Sequence, residues 1–380
     1  VDYDLGEAAE ALRSTLRTLI KENLPETFLG AFTHNPADLE LTNRFCRILA
    51  AEGLLCAAWP QEYGGRDGSV WEQTVVREEM WAAHEPRGPQ YMGVNWIGPA
   101  VMRHGTQAQK DFFLPQIARG ETIWCQGFSE PEAGSDLANL RTRAAADGIG
   151  WTVHGQKVWT SYADIAEWIV LATCTNPDAP AARRFTLFLV PMSRPGIEVR
   201  PIKAMIGPHH LNEVFIDGLQ VGPDDVLGEV DGGWAVMRDA LAYERVGIAR
   251  YARGQSLLDR LLAEYGEDWD SLPGGVKSRW VRALIELRTA QLLAFAAVAR
   301  ESGVDTSDAA IARIVATTCD QVVAEVLFDA VGAAALDAGS EALAHGGIED
   351  HWRYAQASTV ASGTIEVQRM IVARQLLGGR

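Results

Sequence analysis

The sequence predicts a multidomain α+β chain in three parts, helical, then β, then helical again. Three observations predict it. The 380 residues exceed the roughly 250–300 that a single hydrophobic core accommodates. Apolar residues recur at helical spacing in the first third and again from Gly233 onward. Between these stretches lie short apolar runs punctuated by turn signals. Strands and helices do not alternate, which excludes a doubly wound parallel sheet. The parts are read as 1–121, 122–231 and 232–380.

In the first part, residues 7–22, 39–54 and 70–84 carry the helical period. GTQAQKDFFLPQIARG follows, with Thr106 as an N-cap and Pro115 as a kink or boundary. In the second part WTVHGQKVW alternates and places Gly155 at a turn. WIVLATC, FTLFLVPM and NEVFIDGLQV read as further strands and TNPDAPAARR as an exposed loop, together a small β-barrel or sandwich. In the third part helices are expected near 234–265, 275–301, 306–336 and 353–377. EYGEDWDSLPGG separates the first two, and HGGIED is read as a loop.

Composition narrows the function classes. Apolar residues at 47% and charged residues at 22% are ordinary for a soluble globular enzyme. No run approaches the ~18 apolar residues of a membrane span. The opening residues lack the basic and apolar regions of a secretory signal. A net charge of −16 argues against nucleic-acid binding. Five cysteines at 46, 56, 125, 174 and 319 show no paired spacing and suit a reducing cytoplasm rather than a disulfide framework or zinc site. His209 and His210 are adjacent and His345 and His351 stand apart, so no metal site is expected. No GxSxG, Walker loop or GxGxxG follows a strand.

Four segments carry the candidate chemistry: WPQEYGG (59–65), GFSEPEAGSDLANLRTRA (127–144), HGQKVWTS (154–161) and ASGTIEVQRMIVAR (361–374). Each alone suits a loop or a core tryptophan. In this order on an α–β–α chain, they resemble the acyl-CoA dehydrogenase family over nearly the whole sequence. The resemblance implies an N-terminal helical domain, a middle β-domain and a C-terminal four-helix bundle, with FAD between the last two. It implies oxidation of an acyl-CoA thioester to the trans-2-enoyl-CoA, with electrons leaving through an electron-transfer flavoprotein. It places Gln126, Phe128, Ser129, Ser135, Trp159, Thr160, Ser161, Thr364 and Glu366 on FAD. Trp159 would lie beside the isoalloxazine and Ser161 would bond N5. It places Ser135, Tyr243, Arg245, Ser362 and Gly363 on the substrate. An α-proton is weakly acidic, so such chemistry requires a positioned carboxylate and preorganised donors for the thioester oxygen.

Three departures from the family pattern carry information. The Glu that often precedes the C-terminal Gly-Thr is Ser362 here, and a lone hydroxyl cannot deprotonate carbon. Glu244, in ALAYERVGIARYARG, resembles the base of isovaleryl- and long-chain-type members and is taken as the catalytic base. An ion pair with a neighbouring arginine is its structural alternative. The Arg-x-x-Phe-Gly stretch that reaches a neighbouring subunit's FAD is absent, and Arg279 is the nearest arginine. The Gln-x-x-Gly-Gly stretch with the same role is replaced by DAVGAA, with Asp329 for Gln and Ala333 for the second Gly. The half-site for the chain's own flavin is kept and the half-site for a neighbour's is lost. The chain is therefore expected to form an α2β2 heterotetramer with a homologous second subunit, like actinobacterial enzymes of which some act on steroid side-chain CoA thioesters. The competing readings are a non-catalytic partner subunit or acyl-CoA-binding module, and an acyl-CoA oxidase-like flavoenzyme.

Overall fold

The computed structural model describes residues 3–30, 36–247, 249–300 and 305–378; the side chains at 36, 207–209, 242–248 and 267–268 lie outside the description. The first helices are Glu7–Asn23 (α1), Pro36–Ala51 (α2) and Val70–Ala82 (α3). Helix α1 turns Ala9, Leu12 and Leu16 inward, the spacing of one apolar face, and packs on α3. Next come Gln90–Met92 (α4), a π-helical turn at Gly93–Ile97, Gly98–His104 (α5) and Gln107–Ala118 (α6). Thr106 caps α6 through a reciprocal pairing with Gln109, as its spacing predicts. Pro115 is not a boundary. The helix runs on to Ala118 because Phe113, Leu114, Ile117 and Ala118 are buried, and a proline this late removes a single backbone bond.

The WPQEYGG segment is a clamp on the π-helical turn. Buried Trp59 donates its Nε1–H to the Val94 carbonyl at 3.2 Å. A Cβ on Gly98 would lie 2.2 Å from the Trp59 ring, and one on Gly65 would lie 2.0 Å from the Trp59 carbonyl oxygen. Only hydrogen fits at either position.

The middle strands are Trp124–Gly127 (β1), Arg143–Asp147 (β2), Gly150–Ser161 (β3), Trp168–Cys174 (β4), Phe185–Pro191 (β5), Ile197–Ala204 (β6), Gly207–Val221 (β7) and Val226–Leu227 (β8). They follow the order β6-β7-β3-β2-β4-β5-β8, with β1 beside β4. The two halves of this path meet at one residue pair, Arg143 with Cys174. They also face each other, since Trp151 of β3 packs on Phe188 of β5 at 5.5 Å between ring centroids. Gly155 does not make a turn: β3 continues through it. A Cβ there would lie 2.4 Å from Thr142 Oγ1, so the glycine serves close approach beside a register shift.

The C-terminal helices are Gly233–Gly247 (α7), Arg250–Tyr265 (α8), Gly274–Val298 (α9), Thr306–Val331 (α10), Gly347–Ser358 (α11) and Ile365–Leu376 (α12). Helix α10 is central and packs against α8, α9, α11 and α12. Its buried Ala309, Ala310, Ala312, Ala316 and Ala324 let neighbours approach closely. Two expected helices are each broken in two. The 234–265 stretch breaks at Ala249, with φ −82° and ψ 55°. The 353–377 stretch breaks where Ser362 and Gly363 turn left-handed at φ 60° and 86°, geometry that ends a helix. HGGIED is no loop: it closes a 3₁₀ turn at Leu343–Gly346 and opens α11. Among the described residues no helix is long and apolar enough to cross a membrane. All five cysteines are free and buried.

Candidate active site

The SEP segment is fastened to β3 from beneath. Lys157, fully buried, donates from Nζ to Glu130 Oε1 at 2.7 Å and to the Phe128 carbonyl at 3.2 Å. Glu130 also accepts the backbone N–H groups of Arg141 at 2.5 Å and Thr142 at 2.9 Å. Burial pushes the Glu130 carboxyl up, but Lys157 and these donors outweigh it and hold it below its ordinary range. The Val158 N–H reaches the Ser129 carbonyl at 3.0 Å. Gln126, at the end of β1, and Ser129 are half-buried, Phe128 is buried, and Ser135 is exposed on the following turn.

The end of β3 carries the second set. A register shift falls between Lys157 and Thr160, so Lys157 and Val158 are both buried and Trp159 is turned outward, 56% exposed. Trp159 and Tyr162 hold left-handed backbones at φ 59° and 60°, uncommon for bulky side chains and characteristic of sites where geometry is imposed. Between them, Thr160 is buried with its Oγ1 unbonded. Ser161 Oγ lies 3.3 Å from His210 Nε2. The Tyr162 N–H donates to the His210 carbonyl at 2.8 Å, and the two rings meet edge to face at 4.8 Å. Burial lowers the His210 pKa to about 3, so the imidazole is neutral, and with its proton on Nδ1 its Nε2 accepts a hydrogen bond from the Ser161 hydroxyl. An outward indole two residues from a half-buried seryl hydroxyl fits the edge of a flat, hydrogen-bonding ring such as a flavin, whereas the Thr160 hydroxyl is turned into the interior.

The third set sits on a separate scaffold. The loop between α11 and α12 is held by buried Gln368, whose Nε2 approaches the carbonyls of Ser362 at 3.4 Å and Gly363 at 3.3 Å. Arg313 of α10 donates to the carbonyls of Ser358 and Ala361. Thr364 Oγ1 accepts the Val367 N–H at 3.2 Å and so caps α12, and Glu366 is exposed in its first turn. Glu244, Tyr243 and Arg245 fall in the last turn of α7, but their side chains lie outside the described residues. Helix α7 itself packs on the π-helical turn and on α5, β5 and α10.

Two of the departures meet. Arg279 of α9 pairs with Asp329 of α10 at 2.6 Å. The nearest arginine to the missing Arg-x-x-Phe-Gly is thus neutralised by the aspartate that stands in for the missing glutamine.

Sequence reasoning set His210 aside as a surface or core histidine rather than a metal ligand, and overlooked both its approach to Ser161 and the Lys157–Glu130 pair. Its signal was present, a lysine at an inward position of a strand ending in VWTS, but a partner distant in sequence was needed to read it.

Comparison with known proteins identifies the family. Family models described as the acyl-CoA dehydrogenase N-terminal, middle and C-terminal domains match residues 6–121, 125–218 and 231–377. The acyl-CoA dehydrogenase IpdE1 of Mycobacterium tuberculosis is 31% identical over 384 residues, 97% of each chain. The acyl-CoA dehydrogenase FadE34 of the same organism is 37% identical over 87% of this chain, which spans 45% of that protein. Among solved structures, one titled Tcur3481-Tcur3483 steroid ACAD has a TM-score of 0.89 at 29% identity, covering 100% of both chains. The ChsE4-ChsE5 complex from Mycobacterium tuberculosis has a TM-score of 0.87 at 28% identity, also covering 100% of both chains. All three parts of the chain are accounted for in one order by one family, and the chain is a member of the acyl-CoA dehydrogenase family.

Proposed function

We propose that this chain catalyses FAD-dependent α,β-dehydrogenation of an acyl-CoA thioester to the trans-2-enoyl-CoA, with Glu244 as base, within an α2β2 heterotetramer. The end of β3 carries the reading, because it presents Trp159 outward beside the half-buried Ser161 hydroxyl. When bound, FAD supplies a hydride acceptor at N5. Gln126, Phe128, Ser129, Ser135, Trp159, Thr160, Ser161, Thr364 and Glu366 would hold it. Glu244 takes the α-proton. Ser362 contributes its backbone N–H to the thioester oxygen, a role independent of its side chain and suited to a turn held from below by Gln368 and Arg313. Ser135, Tyr243, Arg245 and Gly363 complete the substrate wall. Electrons pass on to an electron-transfer flavoprotein, and the five free cysteines suit the cytoplasm. The steroid title of a similar structure supports a bulky, steroid-derived acyl group.

Assembly rests on the Arg279–Asp329 pair. A cation engaged by its own chain is a poor donor to a neighbour's diphosphate, where charge-assisted bonds are strong. A homologous partner supplies that half-site, which gives two FADs per tetramer.

Glu244→Gln tests the chemistry. The variant should retain FAD and lose turnover by several orders of magnitude, read as failure of an acyl-CoA to bleach the flavin. Ser362→Ala should remain active. Near-normal bleaching in Glu244→Gln removes the assignment, and no bleaching of the wild-type complex by any acyl-CoA favours a non-catalytic subunit.

A further inference from the structure

The Ser161 hydroxyl has a neighbour that decides which way its proton points. Ser161 pairs with Leu211 across β3 and β7, which brings His210 beside it, with Nε2 3.3 Å from Ser161 Oγ. Backbone and ring fix this contact independently. The Tyr162 N–H donates to the His210 carbonyl at 2.8 Å, and the two rings meet edge to face, 4.8 Å between centroids and 75° between planes. One residue further along β7, buried Asn212 donates from Nδ2 to the Thr160 carbonyl at 3.2 Å and to Asp164 Oδ1 at 3.0 Å. Tyr162 is buried and holds φ 60°, a backbone that persists only where the surroundings impose it.

A hydroxyl has one proton and two lone pairs, and a neutral imidazole has one acceptor nitrogen and one donor. The acceptor nitrogen is a stronger base than an alcohol oxygen. The tautomer with hydrogen on Nδ1 therefore makes the better bond to Ser161, by taking the hydroxyl proton at Nε2. A proton committed to His210 serves nothing else, so Ser161 Oγ offers any further partner its lone pairs alone.

We propose that His210 is a positioning residue that holds the Ser161 hydroxyl proton, so that Ser161 meets flavin N5 as an acceptor only and favours the reduced ring. This rests on the acyl-CoA dehydrogenase reading, in which Ser161 lies at N5. In the oxidised ring N5 is itself a lone-pair acceptor, and a second lone pair facing it is unfavourable. After the β-hydride has arrived with its electron pair, N5 carries hydrogen, and Ser161 Oγ accepts a bond from it. Without His210 the hydroxyl turns, donates to oxidised N5 and favours the oxidised ring instead.

The test is the two-electron midpoint potential of the flavin-loaded complex, titrated without substrate. His210→Phe removes the acceptor and keeps a ring against Tyr162. At fixed potential the ratio of reduced to oxidised flavin should fall at least tenfold, a drop in midpoint of about 30 mV. In a Ser161→Ala background the same substitution should shift nothing, a dependence that a general loss of packing does not produce. An unchanged or raised potential, or an equal fall in the absence of the Ser161 hydroxyl, overturns the proposal. Should His210→Phe fail to fold, the imidazole nitrogen resonances of the histidine-labelled wild-type chain decide, assigned by their loss in His210→Gln: hydrogen on Nδ1 supports the proposal and hydrogen on Nε2 overturns it. A wild-type complex that retains no flavin marks failure of the dehydrogenase reading instead, and the same resonances then decide the Ser161–His210 arrangement alone.

Discussion

Lys157 shows how a single residue couples stability to the site. Its ammonium is sealed beneath β3 and touches both Glu130 and the Phe128 carbonyl, so it holds together the two strips that the flavin edge is expected to meet. Removing one partner of a buried pair leaves the other charge uncompensated. Lys157→Met should therefore lower stability by about 3–5 kcal/mol, read from the urea midpoint, and should weaken flavin retention. Adding Glu130→Gln should recover part of the stability. An unchanged midpoint in the single variant would show that the pair contributes nothing. Trp159 makes the complementary point: a tryptophan is ordinarily buried, and this one stands out only because a register shift turns it.

Among the elements, helix α6 and helix α11 respond to different stresses. The Thr106–Gln109 box satisfies backbone donors that α6 otherwise leaves open. Thr106→Ala should lower stability by about 1 kcal/mol, measured by thermal or denaturant unfolding, with activity retained. Helix α11 is docked through His351, fully buried, whose Nε2 meets the Asp320 carbonyl at 3.1 Å. Burial first, and then Arg253 and Arg250, lower its pKa to about 3 against a partly compensating hydrogen bond. The unfolded chain binds this proton near pH 6.5 and the folded chain does not. Stability is therefore full above pH 6.5 and falls as pH drops toward 3, by up to about 1.4 kcal/mol per pH unit for this proton. His351→Gln should flatten the acid limb of the stability curve by up to one proton; an unaltered slope would show that His351 already protonates in the fold.

For the whole molecule, the consequence is stoichiometry. In the proposed function the end of β3 holds the chain's own flavin, while Arg279 and Asp329 pair with each other. Expressed alone, it should take up far less than one FAD per chain. With a homologous subunit it should form a tetramer with one FAD per two chains, read by flavin absorbance against mass. A stable homotetramer carrying one FAD per chain would rule the heteromer out. The pair is partly exposed and contributes little to stability, about 0–1 kcal/mol, so under the proposed assembly its variants should alter flavin stoichiometry rather than the unfolding midpoint.

Local pattern in the sequence determined the order of the three parts, the cap at Thr106, the strands and the stretches where chemistry gathers. These depend on periodicity and on turn and cap residues, which act over a few positions. The breaks at Ala249 and at Ser362–Gly363, the bulge that exposes Trp159, and the role of Gly155 against Thr142 were decided by tertiary packing. So were the approach of His210 to Ser161 and the pairing of Lys157 with Glu130 and of Arg279 with Asp329. Each depends on which distant residue fills the neighbouring space. Burial sets the direction at His210 and His351, whereas at Glu130 the partners that the fold brings together outweigh it.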